Sequence, residues 1–342
     1  MATQEAAHGG QCYFKHGPAS NMAVHNEMGL DYLERNLMRT TRRTFLSATG
    51  AAGLSAVYVR SASAKIEPEP WGIKLGIATY TYRKFERAKA IEFIKAVQTP
   101  WISIKADQPP GAGANQHLPG LPPEGKPFSA DAAAQLHAAR AEYEAAGIKI
   151  MSSGNVGMTK AKSVDDLRPT FEWAKAAGLP MMVCAPTHEN MPFVEALVKE
   201  YNIRIAIHNH GPEDHNFPTP QSVLDVVRKL DARCGLCMDV GHSVRAGADV
   251  IKMIVEAGSR LFDMHVKDLV AFNAESYKLP NFGQCDVGDG VMPFPQIFKQ
   301  LKKMNYQGCV NLEYEIHADD PQPGVQRSFS YMRGVLAGLA AT

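Results

Sequence analysis

The chain has 342 residues, of which 45% are hydrophobic and 21% are charged, values near the averages for globular proteins. They exclude a chain that is disordered along its whole length. The 36 Lys and Arg residues nearly balance the 35 Asp and Glu residues, so we expect no nucleic acid as a partner. No segment approaches the ~20 consecutive apolar residues that a transmembrane helix needs.

A twin-arginine pattern lies near the N-terminus, where residues 41–46 read Thr-Arg-Arg-Thr-Phe-Leu. A mildly apolar run of small residues follows, and Ala62-Ser63-Ala64 then has the form of a cleavage site. We therefore predict a signal segment over residues 1–64, with export by the twin-arginine translocase to the periplasm or another extracytoplasmic space. The alternative is a short Ala-rich helix before the domain. We expect no stable membrane association after export, and either Met1 or Met38 fits as the translation start.

Cysteine usage gives no sign of a disulfide framework. Cys12 lies in the predicted signal segment, which leaves five cysteines in residues 65–342, an odd number. Cys234 and Cys237 have the CxxC spacing of redox and zinc sites, but they enter a predicted strand, where residues three apart point to opposite faces. We expect buried core cysteines instead.

From Trp71 onward, short apolar runs alternate with amphipathic stretches, as in folds where helices join parallel strands. Eight strands are predicted, over residues 74–79, 101–105, 149–152, 180–184, 203–208, 235–239, 261–266 and 309–313. Eight helices are predicted between and after them, over residues 85–97, 130–146, 164–177, 192–199, 221–230, 248–256, 293–303 and 325–339. This alternation predicts a closed (β/α)8 barrel, and residues 65–342 form a single domain of suitable length, since such barrels have ~250 residues.

Two long irregular segments interrupt this alternation. Residues 107–127 are rich in Pro and Gly, and residues 272–292 contain the tripeptide Gly288-Asp289-Gly290. Loops of this length within a compact domain are usually functional or mobile. Residues 107–127 are therefore a candidate lid over the barrel.

Ionisable residues end four consecutive predicted strands, namely His208, Asp239, His265 and Glu313. In (β/α)8 barrels the active site lies at the C-terminal ends of the strands, and adjacent strands are ~4.8 Å apart, so these side chains can converge. Two imidazoles with two carboxylates suit Mn, Zn, Fe or Co better than Ca, which prefers oxygen ligands. The sequence thus predicts a divalent-metal site, although each residue taken singly is also explained as a hydrogen-bonded residue of the rim.

The motifs around these positions are His-Asn-His at 208–210, Asp-Val-Gly-His at 239–242, His-Val-Lys-Asp at 265–268, Gly-Asp-Gly at 288–290, and Glu313. In this order they resemble the xylose-isomerase-like barrel family, and the resemblance runs from Gly72 to the C-terminus. That family includes sugar-phosphate isomerases and epimerases, inosose dehydratases and endonuclease IV-type enzymes. The resemblance implies a divalent metal ion (Mn, Zn, Co, Fe or Mg) with ligands at positions 208, 239, 265 and 313.

One of these positions departs from the family pattern. Members that epimerise ketoses usually have Glu where this chain has His208, and they use two metal-bound glutamates on opposite faces of the substrate. A metal-bound imidazole is a poor base because its lone pair is engaged, which leaves Glu313 as the base that removes a proton next to a carbonyl. The resulting enediolate can lead to isomerisation or epimerisation, or to elimination from an oxidised (3-oxo) sugar or glycoside.

Other polar residues near the same rim are candidates for catalysis or substrate binding. His210 and His242 are expected to orient the substrate or supply an acid, or else to be structural residues of the rim. Lys267 is expected to stabilise an oxyanion, with a salt bridge to a carboxylate such as Glu315 as the alternative. The candidate substrate-binding residues are Lys105, His117 and Glu315. Sugar stacking and core packing both explain the aromatic residues Tyr80, Tyr82 and Trp101.

We therefore predict an exported, metal-dependent enzyme of the sugar isomerase or epimerase type that acts through an enediolate. A lyase or dehydratase is the first alternative. An endonuclease IV-like phosphodiesterase, which would need three metal ions and a basic DNA-binding face, and a non-catalytic sugar-binding barrel are the others. The predicted partner is a small carbohydrate, and assembly into a homo-oligomer is left open.

Overall fold

The computed structural model describes residues 69, 71–106, 117–272 and 278–341. The twin-arginine pattern, the predicted cleavage site and residues 107–116 of the candidate lid lie outside the described residues, so export and the domain boundary after residue 64 stay predictions. Within the described ranges, no helix is both long enough and apolar enough to cross a membrane.

Eight parallel strands form a closed barrel, in which each strand pairs with the next along the chain and the last pairs with the first. They are β1 (Lys74–Ala78), β2 (Trp101–Ile104), β3 (Lys149–Met158), β4 (Met181–Pro186), β5 (Arg204–His208), β6 (Cys234–Asp239), β7 (Leu261–Val266) and β8 (Cys309–Leu312). Every predicted strand overlaps an observed one. The predicted (β/α)8 barrel is therefore confirmed.

Nine α-helices lie in the described part of the chain, and eight of them overlap the predicted helices. They are α1 (Arg87–Ala96), α2 (Ala130–Ala145), α3 (Val164–Ala176), α4 (Met191–Tyr201), α5 (Pro220–Val227), α6 (Val240–Arg245), α7 (Val250–Ala257), α8 (Phe294–Lys303) and α9 (Gln322–Ala340). Ser129 and Ser163 begin α2 and α3, because their hydroxyls accept hydrogen bonds from the backbone N–H groups of Ala132 and Asp166. These bonds satisfy amides that the first helical turn leaves unpaired.

The structure differs from the prediction at two places near the C-terminal ends of the strands. The sequence predicts the end of β3 at Ser152, but β3 continues to Met158, because a bulge after Ser153 lets its glycine-containing continuation pair with β4. The sequence does not predict α6. Asp239 ends β6 and also begins α6, since its Oδ1 atom accepts a 2.7 Å hydrogen bond from the backbone N–H of His242.

The cysteines of the described residues are all free, and four of the five are buried. Cys234 belongs to the main hydrophobic core, whereas Cys237 packs in a separate small cluster with residues such as Ala206 and Phe262. The two cysteines of the CxxC motif thus contact different groups, as expected for residues three apart on a strand. The prediction of buried cysteines is confirmed for Cys234 and Cys237, whereas Cys285 is the one that is only partly buried.

A short antiparallel hairpin follows β7, in which Asp268–Leu269 pairs with Gln284–Cys285. The Oδ2 atom of Asp268 accepts hydrogen bonds of 2.9 and 3.2 Å from the backbone N–H groups of Gly288 and Gly290. Gly290 has no room for a side chain, because a Cβ atom there would lie 2.2 Å from Asp268 Oδ1. Asp268 therefore fixes the Gly-Asp-Gly segment to the end of β7.

We expect Asp268→Ala to destabilise the protein, because the substitution leaves partly buried backbone N–H groups without an acceptor. The free energy of unfolding should fall by about 1–3 kcal/mol, as measured by urea denaturation. The matched control is Asp319→Ala, since Asp319 is exposed and forms a surface ion pair with Lys84. Equal stability of the two variants would contradict the anchoring role.

Candidate metal centre

The four residues that end consecutive predicted strands meet at one end of the barrel. His208 ends β5, Asp239 ends β6, His265 is the penultimate residue of β7, and Glu313 directly follows β8. Asp239 lies beside His265 in the register of β6 and β7. Because all eight strands are parallel, the four residues share the C-terminal rim, where active sites of this architecture lie.

One potential ligand atom from each of the four residues lies within 4.8 Å of the others. His208 Nε2 is 3.6 Å from Asp239 Oδ2, and His265 Nδ1 is 3.3 Å from Glu313 Oε2. All four side chains are buried. The structure therefore brings together the set that the sequence singles out, and we refer to these four residues as the ligand cluster.

Several buried polar atoms of the ligand cluster have no hydrogen-bond partner among the described residues. They are both ring nitrogens of His208, both ring nitrogens of His265, and Oδ2 of Asp239. An unpaired buried polar atom costs about 1–3 kcal/mol, so such a concentration of them indicates a site for a bound cation. Two imidazoles and two carboxylates suit Mn, Zn, Fe or Co. The residues present therefore fit a divalent metal ion.

Lys267 places a buried ammonium group among three carboxylates. Its Nζ atom lies 3.0 Å from Asp239 Oδ2, 3.0 Å from Glu313 Oε2 and 2.5 Å from Glu315 Oε2. The contact with Asp239 is an ion pair whose direction does not suit a hydrogen bond. Burial alone would lower the pKa of Lys267, but the three carboxylates raise it well above its ordinary value. The ammonium is therefore charged, and the salt bridge with Glu315 is present.

The surroundings keep the carboxylates of the cluster ionised and His208 neutral. Burial alone would raise the pKa of Asp239, but the neighbouring imidazole of His242 and the ammonium of Lys267 hold it well below its ordinary value. At Glu313, burial alone would likewise raise the pKa, but the ammonium of Lys267 holds it well below its ordinary value. Burial lowers the pKa of His208, so its ring keeps the lone pair that a metal ligand needs.

Asn209, between the two histidines of the His-Asn-His motif, fixes the backbone of Asp239. Its Oδ1 atom accepts a 3.0 Å hydrogen bond from the N–H of Asp239, and its Nδ2 atom donates to the carbonyl oxygen of Asp239 at 3.3 Å and to Ser243 Oγ at 3.1 Å. One carboxylate oxygen of Asp239 caps α6, as described above. The other oxygen, Oδ2, is thereby directed into the ligand cluster.

A cavity of about 310 Å³ opens beside the ligand cluster, at the lower end of the ~300–1,000 Å³ range of small-molecule sites. Its lining includes His208 and Glu313 of the cluster and the further predicted site residues Lys105, His210, His242 and Glu315. A larger cavity of about 490 Å³ lies elsewhere, near Arg204 and Gly258 at the other ends of the strands. It contains none of the ligand cluster, so we place the chemistry in the smaller cavity.

The structure places His117 outside the cavity lining. Its side chain is buried, with Nδ1 3.1 Å from Thr79 Oγ1 and Nε2 3.0 Å from the carbonyl oxygen of Phe85. Burial lowers the pKa of His117 to about 4. Both ring nitrogens are thus used within the protein, and the contacts indicate that His117 holds the loop after β2 against the end of β1.

The aromatic residues divide between the cavity and the core. Tyr80 lines the cavity, and the Lys105 ammonium lies 5.0 Å from its ring centre. Tyr82 is fully buried and donates a 3.0 Å hydrogen bond to Gln322 Oε1, and Trp101 is also buried. Core packing therefore explains Tyr82 and Trp101, whereas Tyr80 is placed to contact a ligand.

Asn155 was not predicted as a site residue. It lines the cavity, and its buried Oδ1 atom has no hydrogen-bond partner in the described part of the chain. Asn155 lies in the part of β3 beyond its predicted end. A polar residue between Gly154 and Gly157 was the available signal, because glycines near a strand end often mark close approach to a ligand.

The sequence of residues 112–335 matches the profile of a family described as xylose isomerase-like TIM barrel. The chain belongs to the xylose isomerase-like TIM barrel family. Among curated relatives, an uncharacterized protein of Methanocaldococcus jannaschii is 26% identical over 34% of this chain and 39% of its own length. An inosose dehydratase of Mesomycoplasma hyopneumoniae is 24% identical over 41% of this chain and 50% of its own length. The chain thus spans half the length or less of these relatives.

Solved structures of the same fold cover nearly all of the barrel. The IOLI protein with a binding zinc atom superposes with a TM-score of 0.59 and 15% identity, over 78% of this chain and 99% of that chain. A 3-keto-D-glucoside 4-epimerase from E. coli superposes with a TM-score of 0.56 and 14% identity, over 77% and 99%. At 14–15% sequence identity, this structural similarity shows that the chain shares the barrel fold of these proteins.

Metal affinity tests the ligand cluster directly. Asp239→Ala removes a donor atom, and we expect it to weaken binding of Zn²⁺ or Mn²⁺ beyond the ~10–100-fold typical of changes outside the ligand set. Glu313→Gln keeps an oxygen donor and should retain much of the affinity. Isothermal titration calorimetry on the metal-free protein measures both.

The matched control is His210→Asn, which removes an imidazole from the cavity wall but not from the cluster. It should leave the affinity unchanged. If Asp239→Ala binds these metals as tightly as the unaltered chain, the ligand assignment is wrong.

Proposed function

We propose that this chain is a divalent-metal-dependent enzyme that removes a proton next to a carbonyl group of a carbohydrate and so forms an enediolate. The observation that carries the proposal is the ligand cluster, which borders a cavity and has the charged ammonium of Lys267 3.0 Å from Glu313 Oε2. The dehydratase and the epimerase among the similar proteins are consistent with this class.

The residues of this chain can divide the reaction among them. A divalent cation, when bound, would polarise the carbonyl group and lower the cost of negative charge on its oxygen. Glu313 borders the cavity, so its carboxylate is placed to accept the proton. Lys267 lies outside the cavity lining and can hold the Glu313 carboxylate in place through their 3.0 Å contact. His210, which is exposed in the cavity wall, can return a proton or deliver one to a leaving group.

The placement of the carboxylates favours chemistry with one base. Glu313 and Glu315 both follow β8. The residues that line the cavity from the β5 side are imidazoles, those of His208 at the end of β5 and His210 just after it. Epimerisation by two glutamates on opposite substrate faces needs a carboxylate on each side. Isomerisation by one base, and elimination from a 3-oxo sugar or glycoside, need a carboxylate on one side only. Elimination, a lyase reaction, is therefore our second candidate.

The other two classes find less support. Both metal-binding groups found among the described residues contain His208 and His265, which fits one centre rather than a three-metal phosphodiesterase site. The formal net charge of +1 gives no broad positive field that would attract DNA. A sugar-binding barrel without turnover would not exchange a carbon-bound proton of a sugar with solvent, which separates it from an enzyme.

We expect the protein to exchange a carbon-bound proton of its substrate with solvent, and Glu313→Gln to slow this exchange by about 10²–10⁴-fold while metal stays bound. Incubation with aldoses, ketoses and 3-oxo sugars in D₂O, followed by mass spectrometry, measures deuterium incorporation. The control is Glu256→Gln, at a surface ion pair with Lys252. Unaltered exchange in Glu313→Gln would refute the base assignment, and no exchange with any sugar would refute the enediolate.

We also propose that the enzyme works outside the cytoplasm, on the strength of the twin-arginine pattern. Replacing Arg42 and Arg43 together by Lys should retain the protein in the cytoplasm, since the pattern is read by a receptor. Cell fractionation measures the distribution. Arg39→Lys is the matched control outside the pair, and export of the double variant at the normal level would contradict the proposal.

A further inference from the structure

Arg245, the last residue of α6, places a buried guanidinium against His242 in the cavity wall. Its Nη2 atom contacts His242 Nδ1, and only 5% of Arg245 is exposed. The guanidinium also forms a two-pronged ion pair with Glu213, with Nη2 2.7 Å from Oε1 and Nη1 3.2 Å from Oε2. Such forked pairs hold the guanidinium in a fixed orientation.

The contact between Arg245 and His242 determines where the imidazole carries its proton. A guanidinium has only N–H donors, so His242 Nδ1 must accept with its lone pair. A neutral imidazole has one acceptor and one donor nitrogen, so the proton lies on Nε2. His242 Nε2 is 3.9 Å from Asp239 Oδ2, and the ring lines the cavity. The N–H group is thus on the side of the ring that borders the ligand cluster.

Two segments of the chain outside α6, the loop after β5 and the segment around Phe282, hold this arrangement in place. The loop after β5 supplies Glu213 and also Gly211, where φ is +92° and a Cβ atom would lie 2.8 Å from Arg245 Nη2. The ring of Phe282, near the hairpin after β7, lies 4.3 Å from the Cζ atom of Arg245. His210 stacks on His242, with ring centres 4.5 Å apart and an angle of 34°. The enclosure of Arg245 indicates a built contact.

We propose that Arg245, oriented by Glu213, is a positioning residue that fixes His242 in its Nε2–H tautomer, so that His242 presents a hydrogen-bond donor to a substrate oxygen. The substrate half of this statement rests on the proposed function, with a hydroxyl or carbonyl oxygen of a carbohydrate as the acceptor. The statement about the tautomer of His242 does not depend on the proposed function. In this arrangement His242 binds and orients rather than acting as an acid, because loss of its remaining proton would leave an imidazolate.

Nitrogen NMR of the full chain labelled with ¹⁵N-histidine tests the tautomer without substrate. The signals of His242 are identified by their loss in His242→Gln. We expect a protonated Nε2 and an unprotonated Nδ1 in the unaltered protein. Arg245→Met should populate the Nδ1–H form, and Arg245→Lys, which keeps a donor, should restore the Nε2–H form. The control Arg233→Met breaks a similar forked pair, with Asp231, before β6 and should change nothing.

A proton on Nδ1 of His242 in the unaltered protein, or an unchanged tautomer in Arg245→Met, overturns the proposal. If Arg245→Met does not fold, Glu213→Gln loosens the guanidinium less severely and should shift the same signals. In the deuterium assay, Arg245→Met should reduce exchange by about 10–100-fold, mainly through KM. Absence of exchange in the unaltered protein would refute the proposed function, while the tautomer result would stand independently.

Discussion

The position of the Lys267 ammonium among three carboxylates is the interaction on which the site depends. Burying an isolated charge costs several kcal/mol, and a buried charge persists only when it is paired. Asp239, Glu313 and Glu315 all lie within 3.0 Å of Lys267 Nζ, so the chain can hold carboxylates at the mouth of the barrel without a metal. Three carboxylates and one ammonium leave a formal charge of −2, which a divalent cation would neutralise.

The same grouping limits the chemistry that the site can perform. A base must be ionised, close to the substrate and able to transfer a proton, and the cavity offers its carboxylates from the β8 side. His208 occupies the position where members that epimerise ketoses usually have Glu. Its buried, neutral imidazole suits a ligand better than a base. The difference would leave the proposed reactions with one carboxylate base while keeping four potential donors for a cation.

The barrel and the ligand cluster could be predicted from the sequence because both depend on local patterns. Strand ends are visible in the alternation of apolar runs, and parallel strands place their ends together, which was enough to group His208 with Glu313. The sequence singles out His242, but the contacts of Arg245 with His242, Glu213 and Phe282 were not predictable in this way. These residues come from an unpredicted helix, a loop and a hairpin, and their contacts exist only after folding. The position of His117 outside the cavity lining could not be predicted for the same reason, since its contacts with Thr79 and Phe85 exist only after folding.

The two carboxylate oxygens of Asp239 face different parts of the structure. Oδ1 begins α6 through the N–H of His242, whereas Oδ2 faces the ligand cluster. The cap of α6 therefore does not use the oxygen that faces the ligand cluster, so a cation bound there would leave His242 and Arg245 in place. Such an arrangement would lose little conformational entropy on binding a cation. A Glu at position 239 would shift both carboxylate oxygens relative to the start of α6 and the ligand cluster, so the length of this side chain matters as well as its charge.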